Sequence, residues 1–212
     1  MSQEQLANPE LAGVHVDEDS EDLSRSEVIL KGALAAGAIY GTFMVGPYVR
    51  RALAMSGGGD VDILNFALTL EYLESTFYSE AKRRAKPSGE LKSLIDLIGK
   101  DEQQHVEALT GSIKKLGGKP VAEPKFDFSY SGTGGFLKLA QTFEDTGVSA
   151  YNGAAPMIES KEVLTAAGSI VQVEARHAAA IRLQNSEEPA PAGFDEPLEE
   201  KQVLKAVEPF IA

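Results

Sequence analysis

The sequence predicts an all-α protein, a four-helix bundle with one long crossover, preceded by an apolar N-terminal helix and followed by a short C-terminal one. Three observations carry this. From Asp60 to Asn185 apolar residues recur at three- and four-residue spacing, as in Ile63, Phe66, Leu70, Leu73 and Phe77. The breaks between the periodic segments run short, long, short. Two of the chain's three His stand three residues after a Glu, at Glu102/His105 and Glu174/His177, on the second and fourth segments.

Each element follows from its local residues. Asp60 is the expected N-cap of the first helix, which Pro87-Ser88-Gly89 ends. The second runs from about Glu90 to Leu116 and stops at Gly117-Gly118, a C-terminal signal. Residues 119–133 read as extended, with Phe126, Phe128 and Tyr130 on one side. The third helix spans about Gly134 to Gly153, with Pro156 just beyond, and the fourth about Lys161 to Asn185. Residues 186–212 read as a linker and a short helix over Leu198–Glu208. Helices of more than about 20 residues exceed the globular mean of ~11–12 and suit a bundle.

The net charge of −12 in 212 residues is confined to the ends. Residues 1–27, an acidic tail, hold eight acids and one base, and residues 185–212 hold seven acids and two bases. The 17 acids and 17 bases between them cancel, so no basic face exists for nucleic acid, which is excluded as a partner. The absence of Cys excludes disulfide scaffolds, thiolate zinc sites, cysteine-ligated iron–sulfur centres and a cysteine nucleophile. At 43% hydrophobic residues the chain can bury a core.

The chemistry lies in a repeat. Glu71 precedes Glu102 by 31 residues and Glu144 precedes Glu174 by 30; Tyr78 and Tyr151 each follow their Glu by seven. Residues i and i+3 share a helix face, so each Glu-x-x-His pair can grip an ion from one side. Facing residues of an antiparallel hairpin lie equidistant from its turn, which sets all six groups at one height, roughly 20–24 Å from the turns at 1.5 Å per residue. Four carboxylates and two imidazoles suit two divalent ions, iron or manganese. Without metal the carboxylates would repel and desolvate, and some would protonate. The competing reading is a pair of buried salt-bridge or hydrogen-bond clusters. Glu74, one turn from Glu71, competes with it as first ligand, the Tyr spacing favouring Glu71. Glu107 reads as a solvated acid, Asp145 as a cap or salt-bridge partner, and His15 as surface. Tyr78 and Tyr151 fit equally a role beside the site and that of core aromatics with satisfied hydroxyls.

The chain from about Asp60 to Asn185 resembles the ferritin-like superfamily. Within it, ILNFALTLEYLESTFY, FEDTGVSAYNGAAP and VEARHAA look like the branch of bacterial ferritin-like proteins grouped with desiccation-related proteins. The resemblance implies a ferritin-like bundle over residues 60–185 with two iron ions, Mn being the alternative. Glu71 and Glu144 would bind one ion each, Glu102 and Glu174 would bridge, and His105 and His177 would be terminal. Tyr78 and Tyr151 match positions where ferritins keep a Tyr hydrogen-bonded near the site. It implies oxidation of Fe(II) by O2 or peroxide, in iron handling or oxidative-stress protection. The lack of a cysteine-ligated electron-transfer module means that a peroxidase would need an external reductant. Gly147 and Gly153 are expected to loosen the third helix relative to a storage ferritin, against a 24-subunit cage.

Residues 28–49, within an apolar segment 28–55, would span about 33 Å as a helix, enough for a bilayer of roughly 30 Å. Gly32, Ala33, Ala36, Gly37 and Gly41 permit close helix approach. As a secretory signal the segment has an acidic flank where a basic one is wanted, although Ala52-Leu53-Ala54 resembles a cleavage site. Ser24-Arg25-Ser26-Glu27-Val28 looks like a twin-arginine motif with one Arg replaced. As a membrane anchor, Arg50-Arg51 would leave the bundle in the cytoplasm. Retention as an anchor or as the joint of a homo-oligomer is the expectation, in a cytoplasmic or membrane-associated protein, with export the alternative. The second functional class is accordingly a self-assembling or membrane-anchored structural protein built on the bundle.

Overall fold

The computed structural model describes residues 59–212, and the expectations for the acidic tail 1–27 and the apolar segment 28–55 lie outside them. Among the described residues there are five α-helices and no strand: α1 Asp60–Arg84, α2 Gly89–Lys115, α3 Gly132–Ala154, α4 Lys161–Gln184 and α5 Glu200–Val207. Helix α1 packs chiefly on α2 and α3 on α4, with the long connection between the two hairpins. This is the expected four-helix bundle with one crossover, plus a short C-terminal helix. No described helix is long and apolar enough to cross a membrane.

The turns are where local sequence placed them. Helix α2 ends with Gly117 at φ +78°, Gly117 N donating to Lys114 O and Gly118 N to Ile113 O, the paired bonds of a Schellman cap. Between α3 and α4, Pro156 lies in a short 3₁₀ turn, Ala155–Met157, and the Ser160 hydroxyl accepts from Val163 N at 3.3 Å to open α4. Asp60 departs from expectation. Gly59 is the N-cap, and the Asp60 carboxylate instead accepts from Glu159 N and Ser160 N, both at 2.8 Å. It ties the start of α1 to the α3–α4 turn, a long-range use that outcompetes the local cap.

The crossover is an irregular strap. Asn65 of α1 pins its start, donating to Lys119 O and accepting from Val121 N. Farther along, Phe126 forms an antiparallel bridge with Ile211, and Asp127 N donates to Phe210 O. Of the aromatics expected on one side, Phe128 is fully buried against Phe77 and Phe143, whereas Tyr130 meets Phe77 and Phe136. Asp145, as expected, pairs with Arg182 at 2.7 Å.

Two apolar clusters fill the bundle. One contains Leu73, Phe77, Ile95, Ile98, Phe136 and Phe143, with Val203 and Val207 of α5. The other contains Leu64, Leu68, Leu109, Ile113, Val163 and Ile170. On α2 and α4 the buried Glu and His lie between the two clusters in sequence, so the polar layer there has an apolar core on either side.

Candidate metal centre

Within the 3.6-residue period, Glu71 and Glu74 fall on the buried face of α1, Glu102 and His105 on that of α2, Glu144 on α3, and Glu174 and His177 on α4. None is more than 8% exposed. The six residues expected as ligands come together as two groups, Glu71, Glu102, His105 and Glu174, and Glu102, Glu144, Glu174 and His177. Within each group one donor atom per residue lies within 4.8 Å of all the others. Glu102 and Glu174 belong to both, the placement a bridging carboxylate requires.

Both imidazoles turn Nδ1 inward. His105 Nδ1 is 3.2 Å from Glu71 Oε2, 3.1 Å from Glu102 Oε2 and 2.9 Å from Glu174 Oε1. His177 Nδ1 is 2.8 Å from Glu102 Oε1 and 3.5 Å from Glu144 Oε2. The two tyrosines reach across the bundle. Tyr78 of α1 donates to Glu144 of α3, and Tyr151 of α3 donates to Glu71 of α1 at 2.5 Å. The hydroxyls thus sit beside the cluster while the rings pack in the core.

The electrostatics are those of too many acids in too little water. Burial raises Glu71 to about 8 and pushes Glu74 and Glu174 well above the carboxylate range, and it raises Glu144 too. Glu102 goes the other way, to about 2, because its contacts with His105 and His177 outweigh its burial. Burial alone would lower the histidines, but the surrounding carboxylates hold His105 at about 12 and His177 at about 11. The chain meets its own charge by keeping protons.

Proton sharing does not satisfy every atom. Glu102 Oε1, Glu144 Oε2, both oxygens of Glu174 and His177 Nδ1 are buried without a hydrogen-bond partner, the close approaches among them being off the line of a hydrogen bond. Native proteins rarely leave such atoms unmatched. Here they converge, and they are the hard oxygen and imidazole donors that divalent first-row metals take. The residues therefore fit a metal.

Sequence reasoning passed over one group and weighed another only as a competitor. Asp101, adjacent to Glu102, places Oδ2 3.4 Å from His177 Nε2, so the outer ring nitrogen donates to it and Nδ1 is left to face the site. Glu74, weighed against Glu71 as first ligand, is buried with it in the same layer, and of the two only Glu71 belongs to the donor groups. Helix α3 runs unbroken through Gly147 to Ala154. A Cβ at Gly147 would lie 3.2 Å from Glu74 Oε1, and one at Gly153 would lie 1.9 Å from the Leu198 carbonyl oxygen. Both are positions of close approach. Glu107, as expected, is exposed.

No curated protein matches this chain. Among solved structures it is similar to a conserved hypothetical protein from Mycobacterium tuberculosis, at 17% identity and TM-score 0.55, covering 61% of this chain and 98% of that one. It is also similar to ferritin-like, diiron-carboxylate proteins from Bacillus anthracis str. Ames, at 24% identity and TM-score 0.51, covering 59% and 94%. At these identities the likeness is one of fold. The family model for the ferritin-like domain matches residues 59–187, a span that includes all four long helices and both Glu-x-x-His pairs. The chain belongs to the ferritin-like family.

Proposed function

We propose that the chain is a di-iron carboxylate protein that binds Fe(II) and oxidises it with O2 or peroxide, in iron handling or oxidative-stress protection. The observation that carries this is the set of five buried donor atoms left without hydrogen-bond partners within the two overlapping groups. Glu71 and His105 would serve one position and Glu144 and His177 the other, with Glu102 and Glu174 shared. Tyr78 and Tyr151 would hold the unshared carboxylates in place. Two Fe(II) held by these residues would supply the two electrons that, with two protons, reduce O2 to hydrogen peroxide or hydrogen peroxide to two waters. The Bacillus anthracis relative, described as diiron-carboxylate, supports the choice of metal. Manganese suits the same donors.

The test is an anaerobic Fe(II) titration of the purified chain, followed by air. About two ions per chain and a ferric absorbance on oxygenation are expected. His105→Ala and Glu102→Ala should each bind fewer ions and oxidise iron far more slowly. Full uptake and oxidation in both variants would overturn the assignment. Uptake without oxidation would favour a structural metal.

A further inference from the structure

The internal repeat shows where the two halves of the site are unlike. Glu71 and Glu144, and Tyr78 and Tyr151, are related by an offset of 73 residues, and Glu102/Glu174 and His105/His177 by 72. The same offsets pair Glu74 with Gly147 and Asp101 with Val173. Everywhere else in the constellation an acid answers an acid, a His a His, and a Tyr a Tyr. At these two places a carboxylate answers a residue that has none.

Both departures fall on one side. Asp101 holds the outer nitrogen of His177. Glu74 occupies the space that Gly147 leaves open, since a Cβ there would stand 3.2 Å from Glu74 Oε1 and 3.6 Å from Glu174 Oε2. Its carboxylate leans from α1 towards α3, the helix that carries Glu144. Burial acts most on it; of the neighbouring acids, Glu174 and Glu102 are shared by the two groups, and of the unshared pair Glu144 acts on it more than Glu71.

The geometry points to Glu74 as a seventh ligand residue that serves the His177 position and makes the two metal positions unequal. This rests on the two-ion reading above and deepens it. Glu74 is not yet among the donors that lie within 4.8 Å of one another, so it is a ligand within reach rather than one already in place. Its chemical consequence is one of charge. Four carboxylates neutralise two divalent ions, and a fifth lets the site hold one positive charge more. The His177 position, with a supported imidazole and an extra carboxylate, fills first.

Titrating metal-free, full-length chain with cobalt(II) alone, by calorimetry and visible absorbance, tests this. Two resolved steps are expected. Glu74→Gln, which keeps the size and removes the charge, should weaken the tighter step at least tenfold and leave the weaker one nearly unchanged. His177→Ala should abolish the tighter step and His105→Ala the weaker one. Two equal steps in the unaltered chain, or two steps unmoved in Glu74→Gln, would overturn the inference while leaving the two-ion reading intact. So would a tight step that survives His177→Ala. Failure to bind two ions would overturn both. A circular-dichroism melt confirms that the Gln variant folds. If it does not, Glu74→Asp carries the test: its shorter reach weakens the tight step if the inference holds and leaves it unmoved if it fails.

Discussion

Tyr78 and Tyr151 show how single residues set the site. Each hydroxyl leaves its own helix to hold the carboxylate of the other, Tyr78 to Glu144 and Tyr151 to Glu71, and both hydroxyls are pushed well above the usual Tyr range by burial and the neighbouring acids. They therefore stay protonated and keep the proton they donate, which suits a carboxylate that must keep one oxygen fixed and offer the other. Replacing either by Phe keeps the ring packing and strands one buried carboxylate oxygen. The expected loss is about 1–3 kcal/mol of stability in the metal-free chain, read from thermal or urea melts. Tyr78→Phe should disturb ligation at the Glu144 position and Tyr151→Phe at the Glu71 position. Equal, undiminished metal uptake in both variants would reduce the tyrosines to core aromatics.

At the level of elements, the C-terminal segment is a clamp on α3. Leu198 N donates to Ser149 O at 3.0 Å, the Leu198 carbonyl crosses directly over Gly153, and Val203 and Val207 of α5 enter the core. Gly153→Ala drives a methyl group into that carbonyl, so the segment must lift. A destabilisation of about 1–3 kcal/mol and faster proteolysis within residues 186–199 are the expected outcomes, checked by melting and limited digestion. The helices themselves were legible because their ends are written locally: Pro87-Ser88-Gly89, Gly117-Gly118 and Pro156 each stop or redirect the chain by its own backbone chemistry. The convergence of the six candidate ligands was legible because helical spacing and distance from a turn fix height in a hairpin. What escaped were contacts between residues remote in sequence. Nothing near Asp60 announces that its carboxylate will hold Ser160, and nothing near Phe126 announces Ile211. Glu74 was legible only as a rival to Glu71. A helix face admits two acids one turn apart, and only the glycine opposite shows that there is room for both.

The whole molecule answers to pH through this layer. In the metal-free chain burial pushes Glu71 from the ordinary 4.5 up to about 8, so the folded state keeps a proton that the unfolded state gives up. That contribution is complete below about 4.5 and is lost as pH rises through about 8. His105 and His177, raised from 6.5 to about 12 and 11, act in the same direction at higher pH. Glu102, lowered to about 2, acts oppositely, its contribution being lost as pH falls from about 4.5 through 2. Metal-free melting temperatures should therefore fall from about pH 5 to about pH 9. Metal uptake should release protons and tighten over the same range, which calorimetry in buffers of different ionisation enthalpy would show. A metal-free melting temperature that rises across that range would overturn this account of the layer. The division of donors between the hairpins has a mechanical consequence as well. Glu174 of the second hairpin completes the group built on the first, and Glu102 of the first completes the group built on the second. In a chain without cysteine, bound ions would rivet residues 71–105 to residues 144–177, and unfolding would have to wait for a coordination bond to break.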